Sequence, residues 1–473
     1  MTDLLVFGGY LIIVLLIGKF TGKRIHSADD FHLCGRNLGR LPAALSQAAT
    51  EFSGSGLIGG AGLAYAIGLS AIWWNWAAAP VYIVVGFTVV YLLRKMKVGT
   101  TPGFLGRCYG TRSQRLAATL QVIGLVMFTG VQIKASMVTL SALFGMDPIV
   151  AAVLVSTVFI AYTMMGGLWA VVWTDVLQYS ILMGGVILAA VLAYFYVGGI
   201  PNLVNNLPES HLDATSIGGM GILGYFLLVM HSYSTDQMAL QRGLAAKDPK
   251  VARFAFVYTG LNYLVFGACV AFLGMCAAVL LPELANPDDA LPKLISEIFP
   301  SGLRGLMLTA ILAVTMSTAS SALAAASAML VQDLYEPLVN SSAKKTNSSV
   351  VRDSRVATFA VGITALFLAV AFPGVIEMVF FGVAVANAPL FFPMILGLYG
   401  RKINHTAAFL AIILTAVFNI CSHLFWYGKV SGILGEVHYY ILGPLLGLAI
   451  MLIGTLVWPV QESRVNNYAD DDK

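Results

Sequence analysis

Four hydroxyl side chains lie within little more than one helical turn, inside a long apolar stretch of the chain. They are Ser317, Thr318, Ser320 and Ser321. Alanines fill most of the neighbouring positions, and such small residues let a second helix approach closely within a membrane. Because hydroxyl oxygens suit a hard cation, the cluster predicts a sodium site. The alternative is helix packing alone, with each hydroxyl bonded to the carbonyl four residues earlier in its own helix.

A second polar stretch lies near the N-terminus, in the segment Ala44–Gly62. Six glycines fall between Gly54 and Gly68, and a glycine costs about 1 kcal/mol relative to alanine inside a helix. Glu51 is costly at membrane depth unless it faces protein or a water-filled cavity. We therefore expect a broken helix there, which would expose carbonyls to a cation and amides to a substrate. A helix-packing face is the alternative, and Glu51 weakens it because packing needs no carboxylate.

Charged residues occur at three further positions within or beside apolar segments. Asp175 lies near the start of a predicted helix, where it either complements the helix dipole or completes an oxygen cage with the hydroxyl cluster. Asp236 and Arg242 follow another apolar span, and we interpret them as a polar cap or gate at its cytoplasmic end. Lys134 lies deep in an apolar span, and we expect it to pair with Glu51 rather than contact a substrate carboxylate.

Polar side chains at three other predicted helices could face a solute. Asn75 lies among three tryptophans, although tryptophans near the end of a span more often form an interfacial belt than a ligand cage. The side chains that we assign to solute binding are Glu51, Ser55, Asn75, Lys134, His231 and Tyr233.

The composition requires a membrane to position these residues. Of 473 residues, 58% are hydrophobic and 11% are charged, whereas soluble proteins carry about 25% charged residues. The mean hydropathy is +0.83, which is typical of a protein with many transmembrane helices. The net charge of +4 is small for this length and argues against a nucleic-acid-binding protein.

With about 20 apolar residues per span, the sequence predicts about thirteen transmembrane helices. Their approximate limits are 4–20, 42–66, 70–93, 113–143, 148–166, 170–198, 217–240, 251–281, 303–333, 353–372, 375–398, 404–426 and 436–458. Lysines and arginines concentrate in alternate loops, which predicts an N-terminus outside the cell and a C-terminus in the cytoplasm. Short loops without an appended soluble domain favour a plasma membrane, specifically the bacterial inner membrane.

The motif content argues against an enzyme. We find no nucleophile–base pair, no HExxH motif and no glycine-rich phosphate loop. A cation channel lined by the same polar helices and a transporter-like sensor remain as alternatives to a carrier. Proton coupling through Glu51, in place of sodium coupling, also remains open.

Segments spread over nearly the whole chain resemble the sodium/solute symporter family, which includes sodium–proline, sodium–glucose, sodium–sialic acid and sodium–choline carriers. They are Ala28–Gly39, the glycine-rich stretch 42–66, Tyr162–Gln178, Asp236–Arg242, Met316–Ser321 and Val331–Tyr335. The resemblance implies an all-α membrane fold of the leucine-transporter type, built from two five-helix repeats of inverted topology. It divides one transporter domain, residues 1–463, into an extra helix at 4–20, repeats at 42–198 and 217–398, and C-terminal helices at 404–458. A polar tail follows at 464–473.

The resemblance also implies coupling ions and their ligands. For the sodium site shared across the family, it implies the carbonyls of Ala49, Phe52 and Val314 and the hydroxyls of Ser317 and Thr318. A second sodium site, present in some members, has its counterpart here in Asp175, Ser317, Ser320 and Ser321. One or two sodium ions are therefore expected as coupling ions.

Departures from the family bear on the solute. Val229 and Ser232 stand where the sugar carriers have an asparagine and a gating tyrosine, and Asn75 replaces a sugar-binding carboxylate, which disfavours a hexose. Glu51 matches an acid of the proline carriers. We predict a sodium-coupled symporter that imports an amino acid or another small zwitterion or carboxylate by alternating access. A sugar and a quaternary amine are the alternatives, although no aromatic cage is evident from the sequence. We expect the carrier to need only the lipid bilayer and its solute as partners, with a monomer sufficient for transport.

Overall fold

The computed structural model describes residues 2–300, 302–339, 347–371, 382, 384–399, 404–429 and 438–458. Throughout these residues the regular structure is helical, apart from an isolated bridge between Leu38 and Ala246. The first part of the predicted helix 375–398, up to residue 381, and residue 383 lie outside the described residues, as does the predicted tail 464–473; Ala384–Leu398 forms a shorter apolar helical stretch.

The helices are numbered here in chain order. The first half of the chain contains α1 (Thr2–Gly22), α2 (Ala28–Leu33), α3 (Arg40–Glu51), α4 (Gly60–Ile67), α5 (Trp73–Trp76), α6 (Ala78–Phe87), α7 (Val89–Lys95), α8 (Thr101–Tyr109), α9 (Thr111–Phe144), α10 (Pro148–Tyr196), α11 (Gly199–Asn206) and α12 (Glu209–Leu212). The second half contains α13 (Gly218–Thr235), α14 (Gln237–Ala245), α15 (Pro249–Leu280), α16 (Ala290–Ile298), α17 (Leu303–Met329), α18 (Glu336–Val339), α19 (Asn347–Ala371), α20 (Phe391–Leu398), α21 (His405–Cys421) and α22 (Tyr439–Val457).

Nine helical stretches among the described residues are long and apolar enough to cross a membrane. Two of them, Ser55–Lys95 and Pro148–Tyr196, each run through regions where the sequence predicts two spans. The predicted span 217–240 corresponds to α13, which is not one of the nine and ends at Thr235. The count of thirteen therefore stays a prediction, while the all-helical membrane architecture is established.

Acidic caps fix where several long helices begin. The Asp147 carboxylate accepts hydrogen bonds from the backbone amides of Ile149 and Val150, and Pro148 occupies the first turn of α10. Asp248 caps α15 in the same way, again followed by a proline. An aspartate supplies an acceptor for amides that lack an intrahelical partner, and proline lacks the amide that would need one.

The helix α17 lies at the centre of the protein. Within Leu303–Tyr335, 94% of the residues in the 18-residue apolar segment that could cross a membrane are buried. In the other eight stretches the corresponding fraction is 28–56%. The helix packs against α1, α9 and α10, and its alanines and hydroxyl residues keep those contacts close. The hydroxyl cluster is therefore enclosed by protein rather than by lipid.

Gly167 bends α10, the longest helix. This residue has φ 52° and ψ −144°, a conformation that residues with a side chain rarely adopt. A Cβ atom at this position would also collide with the backbone carbonyl oxygen of Phe31 in α2. The bend brings the loop helix α2 against α10 and separates the part of α10 that precedes it from the part that carries Asp175.

Candidate functional site

The helix break predicted near Glu51 lies directly after that residue. α3 ends at Glu51, and Phe52 has φ −75° and ψ 59°, outside the helical region. The Ser53 amide bonds to the carbonyl of Glu51 rather than to that of Ala49, so the last carbonyls of α3 lose their intrahelical donors. The Phe52 ring stabilises the break by stacking on Phe266 of α15, with ring centroids 4.3 Å apart.

Two hydroxyls of α17 reach these free carbonyls. The Ser317 hydroxyl oxygen lies 2.9 Å from the carbonyl oxygen of Ala49, and the Thr318 hydroxyl oxygen lies 3.0 Å from that of Thr50. Both hydroxyls also lie within 3.1 Å of the Val314 carbonyl oxygen in their own helix. Each hydroxyl has one proton for two carbonyls. We call these five groups the carbonyl–hydroxyl set; they form a buried, uncharged, all-oxygen cluster suited to a hard cation.

The carbonyl–hydroxyl set overlaps the predicted sodium ligands without being identical to them. Ala49, Val314, Ser317 and Thr318 come together as expected. Phe52 lies at the break, but neither hydroxyl donates to its carbonyl, and Thr318 donates to the carbonyl of Thr50 instead. The sequence does not reveal which carbonyls a break frees, because that depends on where the helix stops.

The residues predicted for a second sodium are arranged around a guanidinium group. Asp175 Oδ2 lies 3.1 Å from a terminal nitrogen of Arg242, and neither side chain is exposed. The Asp175 carboxylate also accepts a hydrogen bond of 2.6 Å from Ser46, and Arg242 donates to the Ser321 hydroxyl. Ser320 bonds to the Ser317 carbonyl within its own helix. A positive charge therefore already compensates Asp175.

This pairing corrects the interpretation of Arg242 as part of an exposed polar cap, while the gate alternative stays a prediction. The side chain is fully buried and points towards α10, because the backbone turns at Asp236 and α14 lies against α3 and α17. Asp236 has a different role from the predicted one: it is the N-cap residue of α14, and its side chain accepts a hydrogen bond of 2.9 Å from the Met238 amide.

A cavity opens beside the helix break. Its volume is about 140 Å³. Residues from the broken helix, α5, α9, α13, α15 and the segment before α20 form its wall. The lining residues are Thr50, Glu51, Ser53, Ser55, Gly56, Trp74, Asn75, Gln121, Gly124, Leu125, Phe128, Tyr225, Leu228, Val229, Ser232, Tyr233, Asp236, Met238, Tyr263, Gly382, Ala386 and Asn387.

Four of the six side chains predicted to bind a solute line this cavity. They are Glu51, Ser55, Asn75 and Tyr233. The Asn75 amide donates to the Gly56 carbonyl at 3.1 Å, so it also holds the second half of the broken helix in place. Trp74 does the same for the Ser55 carbonyl at 3.2 Å, and its ring forms part of the cavity wall rather than of an interfacial belt.

Lys134 and His231 do not line the cavity, and the reason is helical phase. On α9, Gln132 and Ser136 are buried against α17, and successive residues turn by about 100°. Lys134 therefore faces away from the break. Among the described residues Glu51 forms no ion pair with Lys134, and its carboxylate instead contacts Gln47 and Tyr82. His231 lies on the far side of α13, with its ring packed on Phe391.

The sequence analysis missed part of the wall. Gln121 of α9 donates to the Thr235 carbonyl at 2.7 Å and accepts from the Gln237 amide, which joins α9 to the junction between α13 and α14. Aromatic side chains that were not assigned to solute binding also line the cavity beside the predicted Tyr233: Trp74, Phe128, Tyr225 and Tyr263. Glutamines and aromatic residues are unremarkable in an apolar sequence, so only the tertiary structure distinguishes them.

Comparisons with known proteins agree with this architecture. The family model of the sodium:solute symporter family matches residues 31–415. The chain is 31% identical over 382 residues to the high-affinity proline transporter PutP of Bacillus subtilis, covering 75% of this chain and 78% of that protein. It is 28% identical over 425 residues to the sodium/iodide cotransporter of Homo sapiens, covering 83% of this chain and 65% of that protein.

A solved structure has the same fold. It is a substrate-bound, outward-open state of a Na⁺-coupled sialic acid symporter, and it matches with a TM-score of 0.87 at 22% sequence identity. The match covers 98% of this chain and 99% of that one. The three proteins have different solutes, so similarity alone does not identify the solute of this chain.

Proposed function

Because the chain belongs to the sodium:solute symporter family, we propose that it is a secondary active carrier that couples sodium entry to the uptake of a small organic solute. An amino acid or another small zwitterion or carboxylate is the solute class that the sequence favours. The cavity beside the helix break, with a volume of about 140 Å³, is where we place this solute.

One observation carries this proposal: the break after α3 serves both the carbonyl–hydroxyl set and the cavity. Thr50 contributes its carbonyl to the set and also lines the cavity. A cation bound by Ser317 and Thr318 would hold α17 to the end of α3 and so fix the wall against which the solute binds. The two binding events then stabilise the same conformation, and each must raise the affinity of the other.

The contact between α3 and α17 through the carbonyl–hydroxyl set also accounts for alternating access. When sodium leaves the carbonyl–hydroxyl set, the link between α3 and α17 weakens, and the two helices can separate as the carrier changes its open side. Solute and sodium are then released together. Sodium thus stabilises one conformation because it binds that conformation better, as any coupled ligand must.

We propose a single sodium ion in the described conformation. The Arg242 guanidinium lies against Asp175 and Ser321, two of the residues assigned to a second site. A sodium ion there would be repelled by the buried arginine unless its charge moved away, because Coulomb interactions are strong in a poorly polarisable interior. A second ion therefore requires a conformation in which Arg242 leaves Asp175.

We further propose that the carrier lies in a bacterial inner membrane with its N-terminus outside and acts as a monomer. The distribution of lysine and arginine among the loops supports this orientation. A single chain contributes every element of the cavity wall and of the carbonyl–hydroxyl set.

The test is the thermal stability of the purified protein in sodium chloride and in potassium chloride. Wild type should unfold at a higher temperature in sodium, because a ligand that binds only the folded state stabilises it. Ser317→Ala should lose most of that difference. Thr309→Ala is the matched control, since Thr309 is buried on α17 and bonds only within its helix. Equal stability of wild type in the two salts would contradict sodium coupling.

A further inference from the structure

Two carboxylates face the cavity, and the described lining contains no basic side chain to balance them. Glu51 is 6% exposed and Asp236 is 7% exposed, and both line the cavity. The Glu51 carboxylate contacts two uncharged groups, the Gln47 amide at 3.3 Å and the Tyr82 hydroxyl. The Asp236 carboxylate accepts from the Met238 amide at the start of α14 and from the uncharged Asn387 side chain. Neither forms an ion pair with a described residue.

Buried carboxylates without a counter-charge are costly. Removing an ionised carboxylate from water costs several kcal/mol unless an opposite charge or several hydrogen bonds compensate it. Asp175 has Arg242 and Asp3 has Arg304 as a counter-charge, and the buried Asp333 accepts from Thr100 and Gln114 in a pocket that basic side chains also line. Glu51 and Asp236 differ because they border a space that a ligand can fill. A cationic ligand would supply the missing charge.

The aromatic part of the wall suits the same kind of ligand. Trp74 and Tyr225 meet edge to face with ring centroids 5.5 Å apart, and Tyr233 and Tyr263 share a hydrogen bond of 3.0 Å between their hydroxyls. The Tyr263 hydroxyl also bonds to the backbone carbonyl of Glu51 at 3.0 Å. The faces of tryptophan and tyrosine attract cations, and these rings are held beside the carboxylate by hydrogen bonds.

From these observations, and resting on the proposed function, we propose that the solute is a small organic ammonium ion without a carboxylate. Its nitrogen would donate hydrogen bonds to Glu51 and Asp236, and its carbon skeleton would pack against the aromatic side chains. This assignment keeps sodium-coupled uptake but replaces the solute class that the sequence favours, because it retains the ammonium group of a zwitterion and excludes the carboxylate. A carboxylate would add a third negative charge to the described lining.

Four compounds with one carbon skeleton separate these charge types: butanoate, 4-aminobutanoate, butylammonium and butane-1,4-diammonium. Each is added to the purified full-length protein at constant pH and ionic strength, in sodium and in potassium. We expect butylammonium and the diammonium to raise the unfolding temperature in sodium more than in potassium. Butanoate should have no effect, and 4-aminobutanoate should bind more weakly than butylammonium.

Two variants test the assigned residues. Glu51→Gln keeps the hydrogen bond with Gln47 but removes the charge, and it should lower the affinity for butylammonium at least tenfold. Asp236→Asn retains a residue able to cap α14 and should also weaken binding. Glu209→Gln, which changes an exposed residue of α12, is the control and should bind as wild type does. Stabilisation of Glu51→Gln by sodium alone shows that the variant is folded.

The outcomes separate this inference from the proposed function. Sodium-dependent stabilisation by butanoate, or by 4-aminobutanoate more than by the amines, would overturn the ammonium assignment and leave sodium-coupled transport intact. An amine effect of the same size in both salts would support the ammonium site and contradict sodium coupling. No effect of either amine in sodium, or unchanged amine binding by both Glu51→Gln and Asp236→Asn, would overturn the inference.

Discussion

At the scale of single residues, the Asp175–Arg242 ion pair near the site carries a large desolvation cost, because both charged groups are buried. Both side chains have no solvent exposure and their charged atoms lie 3.1 Å apart. Burying two ions costs several kcal/mol each, and their attraction repays this only with good geometry and additional hydrogen bonds. Ser46 and Thr50 supply such bonds to Asp175, and the Met238 carbonyl accepts one from Arg242.

Removing one partner of this pair should destabilise the protein strongly. Arg242→Ala leaves Asp175 buried without a counter-charge, and we expect a loss of about 3–5 kcal/mol in the free energy of unfolding. Asp175→Ala should cost a similar amount. The double variant should lose clearly less than the sum of the two single losses, because it leaves no uncompensated charge.

Reversible unfolding in detergent, followed for the complete mutant cycle, measures this coupling. Lys293→Ala is the control, because Lys293 and Asp289 form an ion pair whose side chains are 54% and 38% exposed. Such exposed pairs contribute about 0–1 kcal/mol. Strictly additive losses for Arg242 and Asp175 would show that the two residues do not act as a pair.

At the scale of elements, Gly167 determines the path of α10. Gly167→Ala should destabilise the protein by about 1–3 kcal/mol from backbone strain, with a further cost from the collision with the Phe31 carbonyl. Gly184→Ala in the same helix is the matched control, since a Cβ atom there meets nothing within 4 Å. In a regular helical position alanine is favoured over glycine by about 1 kcal/mol. Thermal unfolding of both variants tests the prediction, and equal behaviour would contradict it.

The loop helix α2 makes stability depend on pH. The His32 Nε2 atom lies 2.7 Å from the hydroxyl oxygen of Ser354, and that hydroxyl donates to the Val350 carbonyl. The single hydroxyl proton is thereby used, so the His32 ring must donate from Nε2. Burial lowers the pKa of His32 from 6.5 to about 3, which keeps the ring neutral in the folded protein.

Protonation of the unfolded chain then penalises folding in acid. In the unfolded state the pKa of His32 returns to about 6.5, so below that pH the unfolded chain binds a proton that the folded protein does not. The contribution to stability is complete above about pH 6.5 and falls by up to about 1.4 kcal/mol per pH unit below it. His32→Gln should flatten this part of the profile of unfolding temperature against pH. His26→Gln, at an exposed residue, should retain the wild-type slope, and identical slopes for both variants would refute the assignment.

At the scale of the whole molecule, the sequence predicts features that stand out from their immediate surroundings. The break after Glu51 and the hydroxyls of α17 are polar anomalies in apolar segments, and both lie where the structure has its site. Asp175 and Arg242 are 67 positions apart in the sequence, so no local sequence pattern predicts their contact. The Lys134 assignment failed because a span identifies membrane depth but not the direction in which a side chain points.

The cavity wall could not be predicted for the same reason, because it depends on contacts between helices that are distant in the sequence. Asp236 is visible in the sequence as an acid after an apolar helix, yet its position beside the cavity depends on how α13 and α14 meet. The aromatic residues of the wall come from separate elements, and the fold alone assembles them. Patterns within one helix could therefore be predicted, whereas pairings between helices required the structure.

The central claim is that one sodium ion and the solute stabilise the same arrangement of α3 and α17. The most direct measurement is the affinity of wild type for butylammonium with and without sodium, together with its affinity for sodium with and without butylammonium. The account predicts that both affinities rise by the same factor, as thermodynamic linkage requires, and that Ser317→Ala reduces this factor towards one. Butylammonium binding that is equally tight in sodium and in potassium would contradict the account.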